Sequence, residues 1–321
     1  MKEIQISRGL YTLHEPVGKG GYATIYRAQE HTQHGDVEVA VKVNHSSEPE
    51  YTTSLMKESE VIQKFNHANI VTLHAIKRQG RPDVFVSNAV ELPEAPAFFV
   101  MEYLSGGTLE LFLKQVGALP TEEAFAIALY VARALYHIHE KGYAHNDLKL
   151  ENILFREPVT AGEPYDPVLI DFGIATRVMA PDAGSLYIMP PEQLDTVKMQ
   201  KPPEMINMDA SKVDVWGLGV VLYRMLGGQL PFSGRNERTL TQRINNSRPT
   251  SLRKLSKEID PDLDQLIIDG CLAKNPAHRL TLVQLGLELS ELGNDVVASQ
   301  SVVSTNGTSK RSLFGIFGRT K

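Results

Sequence analysis

Two patterns of apolar and polar positions follow each other along the chain. Residues 10–44 alternate in short runs, "LYTLHEPVG", "ATIYRAQE" and "VEVAVKVN", which predicts β-strands. Residues 51–65 carry apolar side chains at helical spacing, and further strands are predicted at 70–77 and 97–103. The segment 78–96 contains three prolines and is predicted to form an extended loop or a small hairpin.

From Ser105 onward the pattern becomes helical. The run "TEEAFAIALYVARALYHIHEKG" predicts a long amphipathic helix with Thr121 as its N-cap and Gly142 just past its end. Shorter helices are predicted near 212–227, 236–246, 262–273 and 281–291. A small β-rich unit therefore precedes a larger helical unit, and "MEYLSGG" is the predicted joint between them.

Composition narrows the possible classes of protein. The 321 residues are 42% hydrophobic and 22% charged, an ordinary globular balance, and the net charge of −5 argues against a nucleic-acid partner. The single cysteine, Cys271, cannot form an intrachain disulfide and fits a reducing compartment. Neither a signal peptide nor an apolar run of about 20 residues is visible. We therefore expect no transmembrane span and a cytoplasmic location.

Residues 292–321 are expected to form a disordered basic tail. From Ser299 this tail is rich in Ser, Thr and Gly and has basic residues but no acidic ones. Its end, "RSLFGIFGRTK", mixes aromatic side chains with positive charge. It is either a solvated tail or a docking peptide for a partner or an anionic membrane surface.

The stretch "VGKGGYATIY" contains a glycine turn at Gly18, Gly20 and Gly21. Glycines permit a tight turn and let backbone amides approach phosphates. A dinucleotide-binding fold is one alternative, because Glu38 lies 20 residues after Gly18, near the spacing of a ribose-binding acid. In that fold, however, the glycines open a helix. Here β-branched and aromatic residues follow at strand spacing, which favours a strand–turn–strand phosphate flap, residues 18–23.

The segment "VEVAVKV" places Lys42 in a predicted buried strand. A charge there is costly unless an anion pairs with it, although a lysine on a solvated strand edge is the simpler alternative. Phosphate together with a helix carboxylate would serve, and Glu58 and Glu60 are the candidates. Glu58 is preferred, because the apolar face that includes Ile62 would then pack inward.

Two later motifs supply further polar groups: "HNDLKLEN", with Asp147, Lys149 and Asn152, and "LIDFGIA", with Asp171. One carboxylate can position a hydroxyl nucleophile and accept its proton, while the other carboxylate and an amide can hold magnesium against phosphates. Lys149 can offset the charge on a transferring phosphoryl group. Each acid alone could be an ordinary loop residue, but this order after a glycine flap and a buried lysine points to phosphoryl transfer.

From about Leu10 to Leu289 the sequence resembles the protein kinase superfamily. The motifs that carry the resemblance are "VAVK", "HND", "DFG" at 171–173, "PPE" at 190–192, "DVWGLGVVLY" and "NPAHRLT". The resemblance implies an α+β, bilobal kinase-like fold in a domain at 10–291. Its antiparallel β-rich N-lobe would span about 10–102, its hinge 102–107, and its larger, mainly helical C-lobe 108–291. The form "DLKLEN" is similar to the serine/threonine branch.

The resemblance also implies a role for each site residue. Lys42 would hold the α- and β-phosphates of ATP and pair with Glu58, and Asp147 would be the catalytic base. Asn152 and Asp171 would bind Mg2+, with Mn2+ as a possible substitute. The implied nucleotide contacts are Gly18, Gly20, Gly21, Ala23, Ile25, Ala40, Met101 as gatekeeper, Glu102 and Tyr103 in the hinge, and Leu154.

Further implied contacts support the site. Ser185, after Gly184, would contact Asp147 and Lys149. Glu192 would pair with Arg279. The regulatory spine would consist of Ile62, Leu73, His145 and Phe172, anchored by Asp214.

Departures from the family pattern are Ala23, Pro190, Leu280 and, above all, Asn146. Asn146 precedes Asp147, where many kinases carry an Arg that meets a phosphorylated residue of the activation segment. A neutral Asn cannot neutralise that phosphate. The segment from Asp171 to Glu192 is short, and its only hydroxyl residues are Thr176, Ser185 and Tyr187. We therefore predict activity that does not depend on phosphorylation of this segment.

The sequence thus predicts a serine/threonine protein kinase that acts on protein substrates. A pseudokinase, a binding module or scaffold without chemistry, is a second possibility, although Lys42, Asp147 and Asp171 argue against it. A small-molecule kinase of the aminoglycoside or choline type is a third, because those enzymes share the H-x-D-x-x-x-x-N loop. Lys149, "DFG" and "PPE" favour a protein acceptor.

Overall fold

The structure, a computed structural model, describes residues 4–78, 80–160, 163–172, 183–194 and 209–301. For 183–185 and 294–301 it describes the backbone alone. Within these residues a β-rich first unit precedes a helical second unit, which is the predicted α+β, bilobal arrangement.

An antiparallel sheet forms the first unit, in the order β1-β2-β3-β4-β7-β5, with β6 also paired to β7. Its strands are β1 (Ile4–Ile6), β2 (Tyr11–Lys19), β3 (Ala23–Thr32), β4 (Gly35–Asn44), β5 (Leu73–His74), β6 (Val86–Asn88) and β7 (Ala97–Glu102). Successive side chains alternate between the two faces. On β4, Val39, Val41 and Val43 therefore pack in a small core on the outer face, and Ala40 packs in the main core on the inner face. Lys42 shares the inner face with Ala40.

Helix α1 (Pro49–Ile62) follows β4 and packs against β7 and β4. The sequence predicted this helix at 51–65; Pro49, in its first turn, explains the earlier start, because proline there presets the helical φ. The predicted strand at 70–77 is reduced to β5, and the segment 78–96 contributes β6.

Strand β1 was not predicted. The turn after it holds Ser7 and Arg8 at positive φ, and their backbone N–H groups donate to the Glu91 carboxylate at 3.1 and 2.7 Å. This anchor lies 83 residues away along the chain, so no local pattern marks it.

Helices and a short ribbon form the second unit. The helices are α2 (Leu109–Val116), α3 (Thr121–Glu140), α4 (Ala210–Gly227), α5 (Glu237–Asn246), α6 (Leu252–Leu255), α7 (Pro261–Gln265) and α8 (Leu282–Ser301). The ribbon pairs β8 (Ile153–Phe155) with β9 (Pro167–Leu169). Helix α3 packs against α4 and α8, and most side chains of α4 are buried. Helix α4 is therefore the centre of the main core.

Two helix ends differ from the sequence prediction, and one agrees with it. Pro120, not Thr121, is the N-cap of α3; it makes no side-chain cap bond, and Glu122 and Glu123 in the first turn complement the helix dipole instead. Gly142 lies just past α3 with φ +78°, as predicted. Helix α8 continues to Ser301, beyond the predicted domain end at 291. Residues 302–321 of the predicted tail lie outside the described residues.

None of the described helices combines the length and the apolar character that crossing a membrane requires.

Candidate active site

Lys42 connects two elements of the first unit with one of the second. Its Nζ lies 2.6 Å from Glu58 Oε1 on α1 and 3.5 Å from Asp171 Oδ1 after β9. The side chains of Lys42 and Glu58 are 14% and 6% exposed, whereas Glu60 is exposed. The predicted choice of Glu58 over Glu60 is confirmed.

The surroundings keep Lys42 charged. Burial acts to lower the pKa of Lys42, but the Asp171 and Glu58 carboxylates outweigh it and raise that pKa above its usual range. An ammonium group on the inner face of the sheet is thus available to an anion.

The catalytic loop brings Asp147, Lys149 and Asn152 together. Lys149 Nζ donates to Asp147 Oδ2 at 2.7 Å, and Asn152 Nδ2 donates to the same oxygen at 3.0 Å and to the Asp147 carbonyl at 2.9 Å. Burial raises the pKa of Asp147, and Lys149 opposes that rise. The carboxylate is therefore oriented from two sides within hydrogen-bonding distance.

Asp214 on α4 fixes the backbone of this loop. Its fully buried carboxylate accepts the N–H groups of His145 and Asn146, each at 2.8 Å, and lies 2.7 Å from His139 Nε2. Asn146 has φ +62°, a left-handed conformation in which Asn is enriched among non-glycine residues. Gln193 Nε2 also donates to the Asn146 carbonyl at 3.2 Å. The predicted anchoring role of Asp214 is confirmed, and His139 is a partner that the sequence did not reveal.

Asn152 and Asp171 lie at the same end of the β8–β9 ribbon. Ile153 pairs with Leu169, and the N–H of Ile170 donates to the Asn152 carbonyl at 3.0 Å. Among the described residues, the side-chain hydrogen bonds of Asn152 use its amide nitrogen, which leaves the amide oxygen for another ligand. An amide oxygen and a carboxylate are ligands that Mg2+ accepts, with phosphate and water completing its shell. The residues fit a divalent cation at this end of the ribbon.

Phe172 follows Asp171 and is fully buried between two lobes of the core. Its ring centroid lies 5.0 Å from that of His145, and Ile62 and Leu73 belong to the same core cluster, as the predicted spine requires. Phe65 adds a contact at 5.4 Å that was not predicted. The aromatic ring beside Asp171 is thus held from both units.

The residues predicted around the adenine share one face of the sheet. Ile25 pairs with Lys42, and Ala40 pairs with Met101, so all four point to the inner face. Gly18 pairs with Ile25, and the N–H of Gly20 donates to the Ala23 carbonyl at 2.9 Å, which closes the turn that contains Gly21. A strand, β3, follows the glycines, so the dinucleotide-binding alternative is wrong. Leu154 lies on β8 and packs against the core cluster that includes Ala40 and Met101.

The hinge residue Glu102 makes a hydrogen bond and an ion pair that the sequence did not reveal. Glu102, at the end of β7, accepts the N–H of Thr72 at 2.8 Å and contacts Arg156. The Glu102 N–H also donates to the Thr72 carbonyl, at 3.0 Å, so both the side chain and the N–H of Glu102 are engaged beside β5. Val17, directly before the glycine turn, is an apolar side chain that is 48% exposed.

The predicted pair between Glu192 and Arg279 is confirmed. Arg279 is fully buried and donates to both Glu192 oxygens, at 2.5 and 2.7 Å. The backbone of Ser185 lies in a 3-10 turn (Ala183–Ile188), but its side chain, like Gly173 and Thr176, lies outside the described residues.

The family model described as "Protein kinase domain" matches residues 11–288. The chain belongs to the protein kinase domain family. The match runs close to the predicted bounds of 10–291, and membership implies the use of ATP and a divalent metal.

Two curated relatives are serine/threonine kinases. Serine/threonine-protein kinase PrkC of Bacillus subtilis (strain 168) is 25% identical over 281 residues, covering 84% of this chain and 38% of PrkC. Serine/threonine-protein kinase RAD53 of Saccharomyces cerevisiae is 28% identical over 309 residues, covering 90% of this chain and 34% of RAD53. The chain thus spans about a third of the length of these relatives. The prediction of a protein kinase domain is confirmed.

A solved structure is similar in fold. The crystal structure of Rad53 1–466 in complex with AMP-PNP matches with a TM-score of 0.66 and 27% identity, covering 87% of this chain and 64% of that one. The bilobal α+β prediction is confirmed.

Proposed function

We propose that this chain is an active serine/threonine protein kinase that transfers the γ-phosphoryl group of ATP to Ser and Thr hydroxyls of proteins. One observation carries the proposal. Lys42 reaches Glu58 and Asp171 together, while Asp147 is oriented by Lys149 and Asn152. The family match and the serine/threonine kinase relatives support it. A pseudokinase would not need both arrangements at once.

Each residue has a role in the transfer. Asp147 orients the acceptor hydroxyl and takes its proton as the new O–P bond forms and the bond between the β- and γ-phosphates breaks, which releases ADP. Lys149 offsets charge on the transferring group, and Lys42 holds the α- and β-phosphates. Mg2+ held by Asn152 and Asp171 would neutralise charge on the phosphates, and Mn2+ is expected to replace it.

The nucleotide is expected to lie against the inner face of the sheet. Ile25, Ala40 and Leu154 would enclose the adenine, with Met101 as gatekeeper and the backbone of Glu102 and Tyr103 as its polar partners. Amides of the flap (Gly18, Gly20, Gly21 and Ala23) would meet the phosphates. The similar Rad53 structure is a complex with AMP-PNP, which supports the binding of ATP by this chain.

Activity should not require phosphorylation of the activation segment. Asn146 carries no charge for a phosphate, and Asp214 already holds the loop backbone through two N–H groups. Thr176→Ala should therefore keep wild-type turnover. Ser185 differs, because its hydroxyl is proposed to contact Asp147 and Lys149. Ser185→Ala should therefore lose turnover, and Ser185→Thr should retain it. Loss of turnover in Thr176→Ala, with folding and ATP binding intact, would sink the idea.

The acceptor class separates the remaining alternatives. Purified protein with γ-labelled ATP and Mg2+ would be offered a generic basic protein, an aminoglycoside and choline, with Asp147→Ala as the control. Label on Ser or Thr of the protein supports the proposal. Label on the small molecules alone would favour a metabolite kinase, and ATP binding without transfer would favour a pseudokinase.

Two finer proposals concern the tail and the compartment. The charge and aromatic residues of "RSLFGIFGRTK" support a docking role, to be tested by comparing the binding partners of intact and tail-deleted protein. The single buried cysteine, Cys271, supports a cytoplasmic location, to be tested by cell fractionation.

A further inference from the structure

The turn of the flap is bound by the first residue after β4, His45. The His45 backbone N–H donates to the Tyr22 carbonyl at 2.9 Å. The His45 ring contacts the Gly21 carbonyl through Nδ1 at 3.3 Å and the Thr24 hydroxyl through Nε2 at 2.9 Å. One residue outside the flap therefore contacts two consecutive flap carbonyls and the start of β3.

These contacts define the state of the His45 ring. A carbonyl oxygen can only accept, so Nδ1 must carry the proton that is donated to Gly21. In the neutral ring Nε2 then accepts the Thr24 hydroxyl proton. Because both ring nitrogens are engaged, rotation of the ring would break two hydrogen bonds. The two hydrogen bonds therefore hold the His45 ring in one orientation relative to the flap.

Because peptide groups are planar, the contacts of His45 with the flap carbonyls also fix the direction of the neighbouring flap N–H groups. In a trans peptide the C=O group and the following N–H point in opposite directions. The carbonyls of Gly21 and Tyr22 face His45, so the N–H groups of Tyr22 and Ala23 point away from it. Such N–H groups are the donors with which a glycine-rich turn meets phosphate.

A second contact attaches the flap to helix α1. The ring centroids of Tyr22 and Tyr51 lie 5.4 Å apart with a tilt of 59°. Tyr51 lies in the first turn of α1, and the same helix carries Glu58, the partner of Lys42. A shift of α1 that separates Glu58 from Lys42 would also move Tyr51 away from the flap.

We propose that His45 and Tyr51, named here the flap strap, are positioning residues for the nucleotide phosphates. His45 sets the peptide planes of the flap, and Tyr51 links the flap to the position of α1. The inference rests on the proposed function, since it concerns phosphates bound under this flap. It predicts that phosphate affinity, but not adenosine affinity, depends on the strap.

The test measures dissociation constants by calorimetry for AMP-PNP with Mg2+ and for adenosine, which has no phosphates. His45→Ala and Tyr51→Ala should weaken AMP-PNP binding by about 3- to 10-fold, the range expected for one lost contact, and leave adenosine binding unchanged. His45→Asn, which can still donate to Gly21, and Tyr51→Phe, which keeps the ring, should recover most of the affinity. His34→Ala, at the exposed turn before β4, is the matched control and should bind both ligands as the wild type does.

Turnover provides an independent readout. In the His45→Ala and Tyr51→Ala variants, KM for ATP should rise by the same factor while kcat stays at the wild-type value. Equal weakening of AMP-PNP and adenosine, or no change in AMP-PNP binding, would overturn the inference while the proposed kinase activity stands. A wild type that binds neither ligand would overturn the proposed function, and the inference with it.

Discussion

Asp147 and Asp171 carry the same chemical group in the candidate site but are held in different ways. The Asp147 side chain is 5% exposed and lies in a loop whose backbone is fixed by Asp214 on the central helix α4. The Asp171 side chain is 42% exposed, and Lys42 reaches it from the other unit at 3.5 Å. The proposed acceptor side of the site is thus built into the helical core, whereas the proposed phosphate side depends on how the two units meet.

The dependence on α1 is the main consequence of this difference. Lys42 is held by Glu58, so a displacement of α1 acts on Lys42 and, through it, on Asp171. The same displacement leaves the bonds between Asp214 and the catalytic loop in place, because they lie within the second unit. Substitutions on the two sides should therefore change different kinetic constants.

The largest expected effect is on the acceptor side. Asp147→Ala should lower kcat by about 1,000-fold, since it removes the group that orients the hydroxyl and accepts its proton. The dissociation constant for AMP-PNP should not change, as measured by calorimetry. Asp83→Ala, an exposed carboxylate that pairs with Lys77, is the control and should be fully active. Equal activity of both variants would remove Asp147 from the mechanism.

On the phosphate side, Glu58→Gln should lower kcat/KM for ATP by about 10- to 100-fold, because Lys42 loses its charged partner and its position beneath the flap. Steady-state kinetics at varied ATP and Mg2+ check this. Glu60→Gln is a matched control on the same helix, since Glu60 is exposed. If both variants behave alike, the pair of Lys42 with Glu58 has no kinetic role.

Asp214→Asn tests how far the central helix α4 holds the catalytic loop that carries Asp147. An amide group replaces one acceptor oxygen with a donor, so at least one of the loop N–H groups, or His139, is left unpaired in a buried site. The free energy of unfolding should fall by about 3 kcal/mol, as measured by denaturant titration. The turnover per folded molecule should also fall by about tenfold, because the catalytic loop is released. Unchanged stability would mean that α4 does not hold the loop.

The smallest effect is a shift in pH dependence. Burial raises the pKa of Asp147 above its usual range, so the rate should rise with pH as this carboxyl loses its proton. Lys149 counteracts that rise in pKa; Lys149→Met should therefore move the acidic limb of the kcat profile to higher pH, in addition to lowering kcat. A limb that stays in place would show that another group controls it.

Local sequence patterns, such as strand alternation and motif spacing, predicted much of the site. The alternation along β4 separates Val39, Val41 and Val43 from Ala40 and Lys42, and the spacing of "HNDLKLEN" brings Lys149 and Asn152 to Asp147. The strap contacts of His45 and the bond between His139 and Asp214 were not foreseeable. They join segments whose approach depends on hairpin register and helix packing, which no local pattern encodes. Short elements such as β1 were missed because a run of only three residues is too short to show a periodic pattern.

The most direct test of the account is a time course that starts from dephosphorylated protein. The central claim is that both sides of the site are assembled without a phosphate on the activation segment. Phosphatase-treated protein, verified by mass spectrometry, would be mixed with γ-labelled ATP, Mg2+ and a protein acceptor. We predict that acceptor phosphorylation is linear from the first time point, with the rate unchanged by prior incubation with ATP. A lag that prior incubation removes, and that Thr176→Ala makes permanent, would contradict the claim.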